Sequence, residues 1–435
     1  MNEIAGIGYI EARFDKNGDL QGSVSLPAAT SDLFVISHGW NRNDQQAREF
    51  YRGLFESFSS VAQPADQPDR KFAILGVLWP SKAFDESVAV STEGGVAEGS
   101  ATISPANDQE RRTLEDKIDG MKELFGESVQ HRTLDEAKAL LPELESKETA
   151  RRSFADKIRS LLDHSAANDE DASRTFFKTD GNELMRDLKI LEEDLDPEVG
   201  GGGAAMPLGV AAASAAGTPA AGLTEALSGF TASAFNLLNY TTYYLMKERA
   251  GTVGKNGVAK LVDQLAPKVQ RIYLIGHSFG GRLVTAAAAN SQTNKLRGLT
   301  LLQAAFSHNG FSKKKKGFFR SVVENRRVDG PILITHTRND KAVGIAYPLA
   351  SRINGDKTAA LGDENDAFGA VGRNGAQQME EGERILGKLL PVGGSYPLEA
   401  GKFYNLESSQ FVTNHGDVIG LEVAYAVWSA VKKAT

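Results

Sequence analysis

The sequence predicts a mainly parallel α/β sheet, covered by helices on both faces and interrupted by a large helical insertion. Two observations predict this. Short apolar runs of strand length alternate with helical patterns over residues 1–84 and again over 228–435. Such alternation is what crossover connections between parallel strands require. Between these stretches, residues 85–227 are charged and helical in pattern. A chain of 435 residues is long enough for one large domain carrying such an insertion.

The elements follow in order. Tyr9–Phe14 alternates apolar and polar residues, and Lys16-Asn17-Gly18-Asp19 reads as a hairpin turn, since Asn-Gly takes positive φ readily. Asp32–Ser37 is a short apolar run suited to a buried parallel strand. A helix is expected to begin near Asn43 or Asp44, either of which can cap it, with Phe50, Leu54, Phe55 and Phe58 on one face. Lys71–Trp79 reads as the next buried strand, stopped by Pro80.

Within the insertion, Leu114, Ile118 and Met121 recur at helical spacing, as do Phe154, Ile158 and Leu161, and then Leu184, Leu188 and Leu191. Residues 200–222 are rich in Gly and Ala and read as a linker. After it come helices over Phe230–Arg249 and Gly257–Leu265 and a strand over Arg271–Ile275. An Ala-rich helix over Arg282–Asn290 follows, with strands at Leu299–Gln303, Pro331–Thr335 and Lys402–Leu406. Asp417–Val431 is the expected closing helix. The stretch Leu223–Met246 is long and fairly apolar, but Glu225, Asn236 and Asn239 favour a buried or interfacial helix over a membrane span.

Composition narrows the chemistry. The formal net charge is −7, which argues against a nucleic-acid partner. With no cysteine there is no disulfide, thiolate nucleophile or Cys-ligated metal. No pair of histidines has H-E-x-x-H spacing, so a zinc hydrolase is not expected, and the chemistry read from the motif below needs neither a metal nor an organic cofactor. The first residues lack a basic stretch followed by an apolar one, so a secretory signal is not expected and the cytoplasm is the expected location.

One motif carries chemistry. Gly276-His277-Ser278-Phe279-Gly280-Gly281 matches G-x-S-x-G, with a strand before it and a helix after it. That context is the one a nucleophile elbow needs: a sharp, strained turn that lifts a serine hydroxyl above the sheet edge. Gly276 and Gly280 let strand and helix approach closely. No G-K-[ST] follows the glycines, and no G-x-G-x-x-G is present, so neither a P-loop nor a dinucleotide site is read here.

On these residues the chain resembles the α/β-hydrolase superfamily, in its esterase- and lipase-like branch. The resemblance covers residues 30–84 and 228–435, not the insertion, which it leaves as a helical cap or lid. It implies a nucleophile, acid and base in the chain order Ser, acid, His. Ser278 is then the expected nucleophile. His415, in Asn414-His415-Gly416-Asp417 after the last strand, is the expected general base. Asp340, in Asn339-Asp340-Lys341 after the strand Pro331–Thr335, is the expected acid.

Asp329 precedes that strand and belongs at the opposite sheet edge. Asp363 and Asp366 are weaker rivals, and Asp417 is too near His415 in sequence. One oxyanion donor is expected to be the Phe279 N–H, and the other the Trp40 or the Gly39 N–H of His38-Gly39-Trp40-Asn41. His38 and His277 read as supporting residues, His336 as able to reach the site, and His131, His164 and His308 as uninvolved.

The expected substrate is a small-molecule carboxylic ester or a lipid acyl group, cleaved through an acyl-enzyme. The alternative is a non-catalytic binding protein that keeps the fold and docks a partner through the insertion. Lys313–Lys316, flanked by Phe311, Phe318 and Phe319, reads as a solvated loop, with peripheral contact to an anionic membrane surface as the second reading.

Overall fold

The computed structural model of the protein describes residues 3–62, 67, 69–82, 105–168, 173–193, 229–340 and 368–434. In chain order the strands are β1 (Glu3–Ile4), β2 (Ile7–Phe14), β3 (Leu20–Gln21), β4 (Asp32–Ser37), β5 (Phe72–Leu78), β6 (Arg271–His277), β7 (Leu296–Leu302), β8 (Ile332–His336), β9 (Arg384–Lys388) and β10 (Phe403–Glu407). Among the described residues these ten strands form one sheet, ordered β1-β2-β5-β4-β6-β7-β8-β10-β9, with β3 paired to β2. Every neighbouring pair from β2 across to β9 is parallel, while β1 and β3 run antiparallel to β2. The protein is therefore of the α/β class with a mostly parallel sheet.

The described helices are α1 (Asp44–Val61), α2 (Pro105–Phe125), α3 (Ser128–Lys138), α4 (Glu148–Arg159), α5 (Ser173–Lys178), α6 (Gly181–Glu193) and α7 (Gly229–Thr252). They continue with α8 (Ala259–Leu265), α9 (Phe279–Asn290), α10 (Arg320–Glu324), α11 (Val371–Asn374) and α12 (Leu421–Lys433). The chain divides into two compact units. The second holds the described residues from Lys82 to Leu245, and the first holds those before and after.

In the first unit the strands' period of two sends alternate residues to opposite faces. Phe34 and Ile36 of β4, Tyr273 and Ile275 of β6 and Leu333 of β8 join a buried cluster with Phe50, Leu54 and Phe58 of α1 and Val427 and Trp428 of α12. Leu33, Val35 and Leu274 point the other way and are equally buried. That face is covered by α9, which packs on β6, β4 and β7. The capping expectation at α1 holds in detail. Asn43 Oδ1 accepts from the Gln46 N–H, and Gln46 Oε1 accepts in return from the Asn43 N–H.

Several boundaries differ from the sequence expectation. The second unit reaches Leu245, so it takes in most of α7, where the composition shift placed its end at 227. The reason is local: Glu145 caps the α7 N-terminus by accepting from the Phe230 and Thr231 N–H groups, and Tyr244 packs on Phe176. The helix expected from Gly257 begins earlier, as a π-helical segment over Val253–Val258 that runs into α8. The closing helix begins at Leu421 rather than Asp417, because the Asp417 carboxylate turns back onto Thr413. Strands β1 and β9 were not anticipated. The Gly/Ala-rich stretch 200–222 lies outside the described residues. Among the described residues no helix is long and apolar enough to cross a membrane.

Candidate active site

Four of the parallel strands, β4, β6, β8 and β10, end at the same sheet edge, and each feeds a loop that carries a candidate residue. In parallel sheets this C-terminal edge is where ligand sites form.

The turn after β6 is the sharpest of the four. Ser278 has φ 56° and ψ −125°, a conformation that non-glycine residues rarely adopt. Such strain costs on the order of 1–3 kcal/mol and persists only where neighbours impose it. Here the Ser278 N–H donates to Leu302 O at 3.0 Å, and Ser278 O accepts from the Gly281 and Ala305 N–H groups at 2.9 and 3.0 Å. A Cβ on Gly276 would stand 2.3 Å from Gly280 O, and one on Gly280 would stand 2.3 Å from Ser37 O. Neither partner is a flexible side chain, so the spacing of the two glycines is a steric requirement of this turn. Helix α9 starts at Phe279, whose amide lies outside the i→i−4 ladder of the helix.

Asp340 and His415 come together although 75 residues separate them. His415 Nδ1 lies 2.8 Å from Asp340 Oδ2. Since a carboxylate only accepts, Nδ1 carries the hydrogen and Nε2 keeps its lone pair. Asp340 is fully buried, whereas the His415 side chain keeps 13 % exposure. The loops bearing them are sewn together. The Ser408 N–H donates to His336 O at 2.8 Å, Thr337 Oγ1 and Ser409 Oγ are 2.8 Å apart, and Asn339 Nδ2 donates to Ser409 O at 3.1 Å.

One contact ties this pair to the Ser278 turn. His277 Nε2–H donates to His415 O at 2.8 Å, and the two rings lie 4.7 Å apart. His277 is buried, and its Nδ1 has no hydrogen-bond partner among the described residues. Burial, helped by the neighbouring His415, pushes its pKa well below the usual imidazole range, so it is neutral. Among the described residues, no hydrogen bond joins Ser278 Oγ to His415 Nε2. A catalytic hydrogen bond often tightens only when substrate is bound.

The loop after β4 lies directly against Ser278. A Cβ on Gly39 would fall 2.6 Å from Ser278 Cβ and 3.2 Å from Ser278 Oγ, so only glycine fits there. The Trp40 ring packs on that of Phe279, with centroids 5.9 Å apart. Asn41 takes φ 55° and donates its N–H to Ser81 O at 2.9 Å. His38 anchors the start of the loop. Its N–H donates to Tyr51 Oη at 3.0 Å, its carbonyl accepts from Trp79 Nε1 at 3.2 Å, and its ring stacks on that of Trp79. Complete burial pushes its pKa down to about 4.

The rival residues sit elsewhere. Asp329 pairs with Arg297 before β8 begins. Asp417 is bound to Thr413. Asp363 and Asp366 lie outside the described residues. His308 is tied to Asn374, His131 Nε2–H donates to Lys122 O, and His164 stacks on Phe177. His336 ends β8, and burial lowers its pKa. No group of three His, Cys, Asp or Glu residues among the described residues could hold a metal ion. Thr337, Asn339 and Ser409 are the residues that sequence reasoning missed. No spacing rule marks them, because they act by joining two loops distant in sequence. Comparison of the chain with family models, with curated proteins and with solved structures gives no match.

Proposed function

We propose that this chain is a serine hydrolase of the α/β-hydrolase fold, acting on a carboxylic ester or a lipid acyl group. The observation that carries the reading is the 2.8 Å bond from His415 to the buried Asp340, beside a serine held at φ 56° on the same sheet edge. Asp340 fixes the imidazole tautomer and favours the imidazolium form. His415 Nε2 takes the proton of Ser278 as its Oγ attacks the ester carbonyl. The oxygen that becomes negative is met by the Phe279 N–H and by an N–H of the Gly39–Trp40 loop. Collapse of the tetrahedral species expels the alcohol, which receives the proton from His415. Water, deprotonated by the same imidazole, then frees the acid from Ser278.

A fluorophosphonate probe followed by peptide mapping tests the assignment. The chain should label at Ser278, and Ser278→Ala should neither label nor hydrolyse p-nitrophenyl esters. A chain that does not label, or an alanine variant that keeps its hydrolysis, would end the proposal.

A further inference from the structure

The loop after β7 carries a feature that the proposed hydrolysis does not use. It leaves the sheet beside the nucleophile, where the Ala305 N–H donates to Ser278 O at 3.0 Å. It is then pinned by three buried rings. Phe306, Phe311 and Phe319 pack on one another, with centroids 5.1–6.3 Å apart, and Phe311 packs on Phe403 of β10. Between these anchors the chain makes a tight turn. The Lys316 N–H donates to Lys313 O at 3.1 Å and the Gly317 N–H to Ser312 O at 2.7 Å, with Lys316 at φ 54°. The turn presents Lys313, Lys314, Lys315 and Lys316, all exposed, followed by Phe318, which is 58 % exposed.

Four like charges on adjacent residues repel one another, and little neutralises them. Glu380 lies 3.4 Å from Lys313, while Glu383 is taken by Arg320. Lys314, Lys315 and Lys316 form no ion pair with the described residues. A buried aromatic anchor therefore holds a concentrated positive charge, paired only at Lys313 among the described residues, in place on a chain whose net charge is −7. Phe318 sits at the edge of that charge. One face of its ring is covered by the Arg282 guanidinium at 5.0 Å, and Phe319 meets it edge to face at 5.1 Å. The ring cannot offer that face to a nucleic-acid base, and the net charge of −7 also disfavours such a partner. It can still enter the apolar boundary below lipid head groups while the lysines meet the anionic heads.

We propose that the turn Lys313–Lys316, with Phe318, docks on an anionic phospholipid surface. The proposal concerns binding alone and stands or falls apart from the hydrolase reading. Each lysine near an anionic membrane is worth about fivefold in binding.

The test is co-sedimentation of the full chain with vesicles of phosphatidylcholine alone, or with about 30 % phosphatidylserine. The chain should pellet with the second and not the first, and about 1 M salt should release it, because the screening length then falls to roughly 3 Å. Lys314→Glu, Lys315→Glu and Lys316→Glu together should weaken vesicle binding about a hundredfold. Phe318→Ser should weaken it less. All four side chains are exposed, so an unchanged thermal melt verifies the fold. Three outcomes would overturn the proposal: equal pelleting with both vesicles, undiminished binding by the triple variant, or tighter binding to single-stranded DNA than to the anionic vesicles.

Discussion

The Ser278 turn and the Asp340–His415 pair are built in opposite ways. Ser278 is placed by its immediate neighbours: β6 before it, α9 after it, and glycines two residues to either side. Asp340 and His415 are placed by loops that meet only because β8 and β10 are adjacent in the sheet. The first arrangement is encoded locally and rigidly. The second depends on the whole sheet being assembled. They meet at a single described hydrogen bond, from His277 to the His415 carbonyl. Changes to the turn should therefore damage the fold, and changes to the pair should damage activity while sparing the fold.

The sharpest way to break this contrast is at Gly280. A methyl there would press within 2.3 Å of Ser37 O and 2.5 Å of His38 O, both backbone atoms. Overpacking usually costs 1–3 kcal/mol, and an unyielding backbone contact belongs at about the upper end or beyond. Gly280→Ala should lose about 3 kcal/mol in urea denaturation and lose esterase activity with it. Full stability in that variant would show that the turn is not the rigid member.

Asp340→Asn is the counterpart on the other side. An amide can donate to Nδ1 and favour the wrong imidazole tautomer. Turnover should fall by about three to four orders of magnitude, with the urea midpoint moved far less than in Gly280→Ala. A variant that loses stability as Gly280→Ala does would contradict the contrast.

This asymmetry also decides what could be read from the sequence. The turn is a contiguous motif, so its strand, serine and helix were legible together, as was the Asn43 cap of α1. Strands β4, β5, β6, β7, β8 and β10 were legible because burial on both faces makes them near-continuous apolar runs. Strand β9 was not. It lies at the sheet edge, Leu386 is 70 % exposed, and Arg384 and Lys388 break any alternation. Asp340 and His415 could be placed only through the chain order implied by the resemblance. The bonds that fix them, from Asn339 to Ser409 and between Thr337 and Ser409, span about seventy residues and leave no local trace.

The turn side should also be the acid-sensitive side. Unfolded histidine titrates near 6.5, whereas buried His38 is pushed down to about 4. Between those pH values the unfolded chain binds the extra proton, so stability is lost as pH falls through that window. From pH 7 to pH 5 the loss from His38 should be about 2 kcal/mol. His277, depressed for the same reason of burial, adds to it in the same direction. Urea denaturation at the two pH values measures the loss, and His38→Gln should shrink it. A flat profile would mean that these rings are not held neutral.

The smallest effect should come from the link between the two regions. His277 offers Nε2–H to the His415 carbonyl, and among the described residues Nδ1 has no partner, so there only the far nitrogen of the ring is used. Side chains that imitate one nitrogen or the other therefore separate positioning from packing. Glutamine carries its amide nitrogen near the place of Nε2, and asparagine near that of Nδ1. Both leave a similar gap against Phe50, whose ring centroid is 5.4 Å from that of His277, so both should lose a similar amount of stability. Only His277→Gln can still hold the His415 loop. His277→Asn should lower kcat about tenfold with little change in KM, the loss of one hydrogen bond of ordinary strength. His277→Gln should restore most of that rate. Equal kcat in the two variants would show that His277 only fills space, and that the Ser278 turn and the Asp340–His415 pair are held together by the sheet alone.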